Sequence, residues 1–285
     1  MNITRLGVAA ARTGATAVVL GAALSGAAQA APTELLTHRA VYDLSLAETS
    51  QAAGISGVSG RMVYEFTGGP CEGYSVAFRF VIQVSDERGQ TRVTDLQTSS
   101  FEDPASKAFQ FLSKTYVNRK LSEETRGRAE HADDHIALDL KKPDEREVRL
   151  SGTALFPTEH LRRLLEAADK GETILVADLF DGSETGDKVY ETTSVIGARR
   201  DGPGSPGEED AGAVAKIGDH PHWPVTIAYF DSESEDTGER MPAYQLGFLL
   251  YDNGVSRRLK LDYGDFELRG NLSDLTLIDP VTCKQ

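Results

Sequence analysis

Long apolar segments are scarce in this chain of 285 residues. After position 30, no stretch approaches the roughly 18 uninterrupted apolar residues that a membrane-spanning helix needs, so we expect no integral membrane protein. The first thirty residues resemble an export signal: Arg5 and Arg12 provide positive charge, 15–27 form an apolar core, and Ala-Gln-Ala at 28–30 is typical of a cleavage site. A buried N-terminal helix is the alternative, but the segment has no polar face for solvent. We predict signal cleavage near Ala30 and a soluble mature protein outside the cytoplasm.

Basic residues are in the minority, with 30 Lys and Arg against 44 Asp and Glu, and the formal net charge is −14. Loss of Arg5 and Arg12 with the signal makes the mature chain still more acidic. An acidic surface repels phosphate backbones and anionic lipid head groups. We therefore expect no nucleic acid partner and no unaided attraction to anionic membranes.

Cysteine occurs only twice, as Cys71 and Cys283. In an oxidising compartment two cysteines favour one disulfide, and a pair of unrelated thiols is the alternative. Cysteines this far apart in sequence do not fit a CxxC redox motif or a zinc site. The predicted bond closes most of the mature chain into one loop, for which chain entropy gives on the order of 5 kcal/mol.

Alternation of apolar and other residues dominates the chain after His38. Such a period of two is typical of a strand with one buried face, and Gly- and Pro-containing turns separate the segments. The succession favours antiparallel strands over βαβ units. The predicted strands lie near 42–46, 62–66, 76–84, 91–99, 114–121, 124–131, 135–140, 173–180, 188–198, 222–231, 243–251, 255–263 and 266–272. We predict a mainly β fold, and the chain length allows one large domain or two smaller lobes.

Helical spacing interrupts this pattern in FPTEHLRRLLEAADKGE, where Leu161, Leu164, Leu165 and Ala168 share one face and Pro157 lies at the entrance. We expect this amphipathic helix to pack on the sheet.

Three further segments break the alternation. A shorter helix is predicted at 104–111 (PASKAFQF), with Phe109 and Leu112 facing inward. The Gly- and Pro-rich segment 201–212 (DGPGSPGEEDAG) is predicted to be a mobile loop without regular structure. The acidic segment 231–239 is predicted to be a second such loop, a solvated one rather than a cation site.

Histidine clusters are the most metal-like features. His131 and His135 flank two aspartates, but the neighbouring alternation favours a hairpin turn that sends the imidazoles apart. His220 and His222 point the same way in an extended segment, so a weak two-ligand site is the alternative to a structural role. We interpret His160 as a boundary residue of the amphipathic helix rather than a general base.

Familiar catalytic motifs are missing from the sequence. There is no GxSxG elbow, no GxxxxGK[ST] loop, no GxGxxG turn after a strand and no HExxH helix. We therefore assign no catalytic residue, no cofactor and no metal site.

The stretch LYDNGVSRRLKLDYGDFEL (250–268) raises the question of an acidic site, because it contains three aspartates. Asn253-Gly254 is a preferred centre of a two-residue type I′ hairpin turn. Asp252 and Asp262 then lie on the order of 23 Å apart along one strand, too far to share a metal or a proton. The same register places the large apolar residues of both strands on one face: Phe248 opposite Leu259, Leu246 opposite Leu261, and Tyr244 opposite Tyr263.

Gly264 marks a change in which side of the chain is apolar. Inward positions are odd up to Tyr263 and even from Phe266 onward. We interpret Gly264 as a bulge or corner where the sheet bends, and Asp262 and Asp265 beside it as structural residues. The 250–268 stretch thus predicts the shape of the sheet rather than an active site.

Five segments together resemble one known family: HRAVYDLSL at 38–46, Cys71 after a Gly-Pro turn, FPTEHLRRLLEAA at 156–168, NGVSRRLKLDYGDFELRG at 253–270, and the late Cys283. The sequence is similar to the alphaproteobacterial cell envelope integrity proteins of the EipB family, long treated as a domain of unknown function. The resemblance implies a single periplasmic domain over 31–285, with a spiral-like, bent and broken-barrel-like antiparallel sheet and one or two packed helices. It also implies a Cys71–Cys283 disulfide and a role in envelope integrity under stress, but no catalytic residues.

Two functional hypotheses remain open. The first is a non-enzymatic, monomeric envelope factor whose concave sheet face binds a protein, a lipoprotein or a lipid. Aromatic residues would line that face or, as we favour for each one, fill the core; they are Phe78, Phe80, Tyr244, Phe248 and Tyr263. The second is an enzyme acting on envelope polymers, which needs two carboxylates about 5–9 Å apart in a cleft.

Overall fold

The computed structural model describes residues 34–105, 107–231 and 240–280. The predicted signal peptide, the acidic loop beyond Asp231 and Cys283 lie outside the described residues. Within these ranges there are fourteen strands, two α-helices and one short 3₁₀ turn, Gln51–Ala53. The helices are α1 (Pro157–Asp169) and α2 (Ala211–Ala215). The strands are β1 (His38–Thr49), β2 (Ile55–Gly69), β3 (Gly73–Asp86), β4 (Thr91–Asp103), β5 (Ala108–Val117), β6 (Lys120–His131), β7 (His135–Lys142), β8 (Arg146–Ser151), β9 (Ile174–Leu179), β10 (Tyr190–Ile196), β11 (His222–Asp231), β12 (Tyr244–Tyr251), β13 (Ser256–Asp262) and β14 (Phe266–Leu277).

All fourteen strands belong to one antiparallel sheet, in the order β8-β7-β6-β5-β4-β3-β2-β1-β14-β13-β12-β11-β10-β9. The pairing of β1 with β14 joins two meanders, one from each half of the chain. The chain after β8 then reaches the opposite edge, where Leu155 forms a single parallel bridge with Leu179 of β9. One bridge does not close the sheet into a barrel. The predicted mainly β, bent and broken-barrel-like architecture is confirmed.

The sheet curves until distant strands face one another. Tyr64 of β2 and Phe78 of β3 line the same interior space as Leu246 of β12 and Leu261 of β13. Alternating apolar side chains give the sheet its concave apolar face. Ala213 and Val214 of α2, with Ile217 just after it, pack into the largest buried cluster of the described chain, which also contains the cavity-lining residues Tyr42 and Met62.

The predicted amphipathic helix is confirmed as α1. Pro157 occupies its first turn, and Leu164 and Ala168 are buried. The N-cap residue, Phe156, has no side chain that can accept a hydrogen bond. Glu102 of β4 supplies the cap instead, accepting the amides of Thr158 at 2.7 Å and Glu159 at 3.0 Å.

The predicted helix at 104–111 is wrong. Residues Pro104 and Ala105 form a turn, and β5 begins at Ala108. Phe109 and Phe111 are both buried at alternate positions of β5, stacked at 5.7 Å. The backbone amides and carbonyls of β5 form hydrogen bonds with β4 on one side and β6 on the other. This strand pairing overrides a weak local preference for helix.

The prediction that 201–212 lacks regular structure is wrong at its end, because α2 begins at Ala211. Asp210 caps α2 by accepting the amide of Ala213 at 2.8 Å. The preceding residues are anchored as well: the buried guanidinium of Arg257 donates to Pro203 O at 2.7 Å and Ser205 O at 3.0 Å. Hydrogen bonds between these distant positions are not visible in the local composition.

Asn253 and Gly254 lie in the turn between β12 and β13, but the turn is not the predicted two-residue type I′. Gly254 has a φ of +86° while Asn253 does not have a positive φ, and the Gly254 amide donates to Tyr251 O at 2.9 Å. This is a three-residue loop ending in a left-handed glycine. Arg258, with a φ of +54°, then restores the predicted register, in which Leu246 faces Leu261.

Gly264 is not a bulge within a strand. It lies with Asp265 in the turn of a hairpin between β13 and β14, and its φ is +82°. Across this hairpin Leu261 pairs with Leu268, and the Tyr263 amide donates to Phe266 O at 3.0 Å. The change of apolar parity therefore comes from a chain reversal instead of a bend.

An interior cavity as the candidate functional site

Two adjoining cavities lie inside the concave face of the sheet. The inner cavity has a volume of about 360 Å³ and the outer cavity about 710 Å³. Both fall in the range typical of small-molecule sites. Six residues line both spaces: Tyr64, Val76, Phe78, Pro157, Leu246 and Leu261.

The inner cavity is apolar, and its lining residues are buried or half-buried. None of its lining residues is exposed, and Leu161 and Leu164 of α1 cover it. His38 and His160 also line it, and burial lowers the pKa of both imidazoles, that of His160 to about 4. Both are therefore neutral at pH 7, so the lining of the inner cavity carries no formal charge.

The outer cavity reaches solvent. Its exposed lining residues include Ser99, Ala243 and Tyr263, together with two carboxylates, Glu123 and Glu184. Other hydroxyl-bearing side chains of β4 and β5 follow the same wall. A path from a polar end with exposed lining residues to an apolar end without them suits an amphiphilic molecule, since each part meets matching surroundings.

Four tyrosines form a ring cluster along the outer cavity and the wall behind it. Tyr244 stacks on Tyr229 at 4.3 Å between centroids, and it meets Tyr190 edge-on at 5.9 Å and Tyr263 at 6.4 Å. Burial raises the pKa of all four phenols, so each is protonated at neutral pH. The cluster therefore presents neutral aromatic rings to the two cavities.

A glycine-containing loop brings acids to the outer cavity. Gly182 has a φ of +69° and Gly186 a φ of +84°, and a Cβ at either position would collide with Phe111 or Thr125. Only glycine allows this approach of the loop to β5 and β6. The loop thereby places Asp181 at the cavity wall.

The acids differ in their surroundings. Burial raises the pKa of the Asp181 carboxyl, which accepts the Ser183 amide at 2.9 Å. Glu184 accepts from the Tyr190 hydroxyl and forms an ion pair with Lys188 at 2.7 Å. Nothing in the sequence pattern singled out these residues, because they are contributed by a loop whose position depends on distant strands.

The histidine clusters do not form a metal site. His131 contacts the Phe156 ring at 4.5 Å, whereas His135 bonds Asp134 at 2.6 Å. They lie at the ends of β6 and β7, so the predicted hairpin is confirmed. Across residues 34–105, 107–231 and 240–280, no group of three His, Cys, Asp or Glu side chains could hold a metal ion.

The second histidine cluster also separates. His220 bonds Asp252 at 2.6 Å, while His222 is buried against the Tyr251 ring at 4.8 Å. His160 is deeper than a boundary residue, only 5 % exposed, and its Nε2 lies 3.2 Å from Thr192 Oγ1. It is a lining residue of the inner cavity.

Glu102 and Glu159 line a separate pocket of about 480 Å³, which makes them a candidate pair of carboxylates. Burial raises the pKa of Glu102, and the charge of Glu159 adds to that effect. Both Glu102 oxygens, however, accept amides of α1. The geometry therefore describes a helix cap.

The predicted disulfide stays a prediction. Cys71 lies in the turn between β2 and β3, and Cys283 is outside the described residues. Of the five aromatic residues considered earlier, Phe80 is in the core, but Phe78, Tyr244, Phe248 and Tyr263 line the cavities. Phe78, Tyr244 and Phe248 also pack against the core clusters, so the core interpretation is wrong only for Tyr263, which is 39 % exposed. No helix among the described residues is long and apolar enough to cross a bilayer.

The fold and the site together define an open, coiled, antiparallel β protein with an apolar interior cavity. Residues 29–279 match the EipB-like family model, so the chain belongs to that family. The cell envelope integrity protein EipB of Brucella abortus (strain 2308) is 44 % identical over 273 residues, which is 95 % of each chain. A crystal structure of a β-barrel-like protein of domain of unknown function DUF1849 from Brucella abortus superimposes with a TM-score of 0.79 at 43 % identity, covering 87 % of this chain and 100 % of that one.

Proposed function

We propose that this protein is a non-enzymatic periplasmic factor that supports envelope integrity and stress resistance by holding the acyl chain of a lipid or a lipidated protein. The observation that carries the proposal is the inner cavity: about 360 Å³, apolar, uncharged and lined by no exposed residue. Protein interiors are normally packed to the density of organic crystals. A cavity of this size is therefore a feature that function accounts for better than folding does.

The energetics suit an acyl chain. Each CH₂ group that leaves water contributes about 0.8 kcal/mol. The chain would enter past Tyr64 and Phe78, which line both cavities, and its polar end would stay in the outer cavity. The envelope setting is supported by the predicted signal peptide and by the similarity to a protein named for envelope integrity.

The non-enzymatic assignment is supported by the role of the best carboxylate pair. Both carboxylate oxygens of Glu102 accept hydrogen bonds from amides of α1. Neither oxygen is therefore free to act as a general acid or base on a polymer. The acids of the outer cavity are the remaining candidates for the paired-carboxylate alternative, and of these Glu184 is engaged by Lys188 and the Tyr190 hydroxyl.

A fluorescent apolar probe, N-phenyl-1-naphthylamine, tests the proposal. We expect its emission to rise on binding, and Val76→Trp, which fills the passage shared by both cavities, to abolish the rise. Val195→Trp is the matched control, because Val195 is 53 % exposed and lines neither cavity. Leu246→Trp is a second filling variant should Val76→Trp fold poorly by circular dichroism. No emission change with wild-type protein, or equal binding by filled and control variants, would refute the proposal.

A further inference from the structure

All formal charges on the cavity lining are negative. Glu123, Asp181 and Glu184 line the outer cavity, and among the residues that the structure describes no Lys or Arg lines either cavity. The two histidines of the inner cavity are neutral. A polar group that stays at the outer cavity while its chain lies inside is therefore surrounded by acids.

Lys188, which neighbours the cavity-lining residues Glu184 and Tyr190, is already paired. Lys188 lies beside the outer cavity with its Nζ 2.7 Å from Glu184 and 2.8 Å from Asp231. Its side chain is 16 % exposed, and the Nζ is 5.1 Å from the centre of the Tyr190 ring. An anionic ligand would have to break these pairs to gain a counter-ion, whereas a cation would not.

The tyrosine cluster at the outer cavity also favours a positively charged ligand. The faces of tyrosine rings attract cations through their quadrupole; Tyr244 and Tyr263 line the outer cavity, whereas the Tyr190 ring already has the Lys188 ammonium over it. Burial has already removed water from Asp181. A cation next to the Asp181 carboxylate would stabilise its negative charge, which burial has deprived of stabilising water.

From this arrangement we propose that the ligand is an amphiphile with a positively charged, ammonium-bearing head group, and that anionic lipids are rejected. The inference rests on the proposed function, because it assigns the head group of the molecule whose chain occupies the inner cavity. The chain enters first past Tyr64, and the ammonium group stops between Asp181, Glu123 and the tyrosine faces. No covalent step is involved.

Three probes with one alkyl chain test the head group: dodecyltrimethylammonium, dodecyl maltoside and laurate, each below its micelle concentration. They compete with N-phenyl-1-naphthylamine at low ionic strength. We expect the ammonium compound to displace the dye at a concentration at least tenfold lower than laurate, with the maltoside between them. Salt should reduce the ratio, because screening weakens charge interactions at the open end of the cavity.

A charge-matched pair of variants separates the site from the overall acidity of the protein. Asp181→Asn with Glu123→Gln should bring the ammonium-to-laurate ratio to within about threefold. Glu87→Gln with Glu147→Gln removes the same charge from exposed positions that do not line the cavities and should keep the ratio.

The outcomes distinguish the two proposals. Displacement by none of the three probes defeats the proposed function itself. Laurate binding as tightly as the ammonium compound, or equal loss of preference in both double variants, overturns the head-group inference while the acyl site stands.

Discussion

Arg257 is the largest fully buried side chain of the described protein, and its removal is the most informative test of how the fold is held together. Its Nη1 donates to Glu209 at 2.6 Å, its Nε to the Tyr251 hydroxyl at 2.9 Å, and its Nη2 to the carbonyls of Pro203 and Ser205. Both members of the ion pair have side chains 1 % exposed. The network ties the 203–209 segment to β13.

Replacement by methionine keeps the apolar stem and removes every donor. Glu209 would then remain buried with the amides of Arg258, at 3.0 Å, and Leu272, at 3.3 Å, as donors, and with the more exposed Arg258 guanidinium, 3.6 Å away, as its remaining ion-pair partner. Breaking a buried pair in this way costs about 3–5 kcal/mol. We therefore expect Arg257→Met to lower the free energy of unfolding by that amount in urea titrations followed by circular dichroism at pH 7.

The double variant Arg257→Met with Glu209→Met measures the coupling. It should be less destabilised than the sum of the single variants by about 2 kcal/mol, because no uncompensated charge is left. Arg61→Met, which removes an exposed pair with Asp43, is the control and should cost about 0.5 kcal/mol or less. A loss below about 1 kcal/mol for Arg257→Met, or strict additivity, would refute the reasoning.

Three further predictions concern stability. Glu102→Gln keeps one acceptor for the two amides of α1 and should cost about 1–2 kcal/mol in urea unfolding; an unchanged midpoint would exclude the capping role. His160 has a folded pKa of about 4 against an ordinary 6.5. The unfolded chain therefore binds the extra proton, and stability falls by up to about 3 kcal/mol as pH drops from 6.5 to 4. In His160→Gln this acid-induced loss should shrink by that amount, with His135→Gln as control, and an identical pH profile would contradict the assignment. Cys71→Ser should lower the melting temperature by an amount equivalent to a few kcal/mol, and no shift would count against the predicted disulfide.

The repetitive part of the fold was predictable because period-two patterning depends on local sequence. The alternation of Val76, Phe78 and Phe80 corresponds to β3, and the spacing of Leu161 and Leu164 corresponds to α1. In each case one buried face coincides with the period of the element. β8 is not among the predicted strands, because its six residues contain three charged side chains and only two aliphatic ones.

Departures from prediction occur where long-range contacts decide the local structure. The Asn-Gly sequence at 253–254 fits a type I′ turn when it is considered alone. In the structure, Arg258 has a left-handed backbone that shifts the register of β13 by one residue, so that Arg257 is buried and Arg258 is exposed. Glu209, in a segment that looks disordered by composition, is the buried partner of that arginine. A register shift of one residue changes which side chains are inside.

The cavity could not be predicted from the sequence, because cavity-lining and core residues are both apolar and both occupy alternate positions of a strand. Phe78 and Phe80 are both aromatic and two positions apart on β3, yet Phe78 lines the cavity and Phe80 packs in the core. The coiling of the whole sheet makes the difference. Asp181 reaches the cavity only because Gly182 permits the loop to approach Phe111.

The central claim is that an alkyl chain occupies the inner cavity with its polar end in the outer one. A crystal structure with an alkylamine brominated at its terminal carbon tests this directly, because anomalous scattering locates the bromine. We predict the bromine in the inner cavity between Phe248 and Leu164, which line it, and the amine beside Asp181. Bromine only at the protein surface, or an inner cavity closed by its own side chains, would contradict the account.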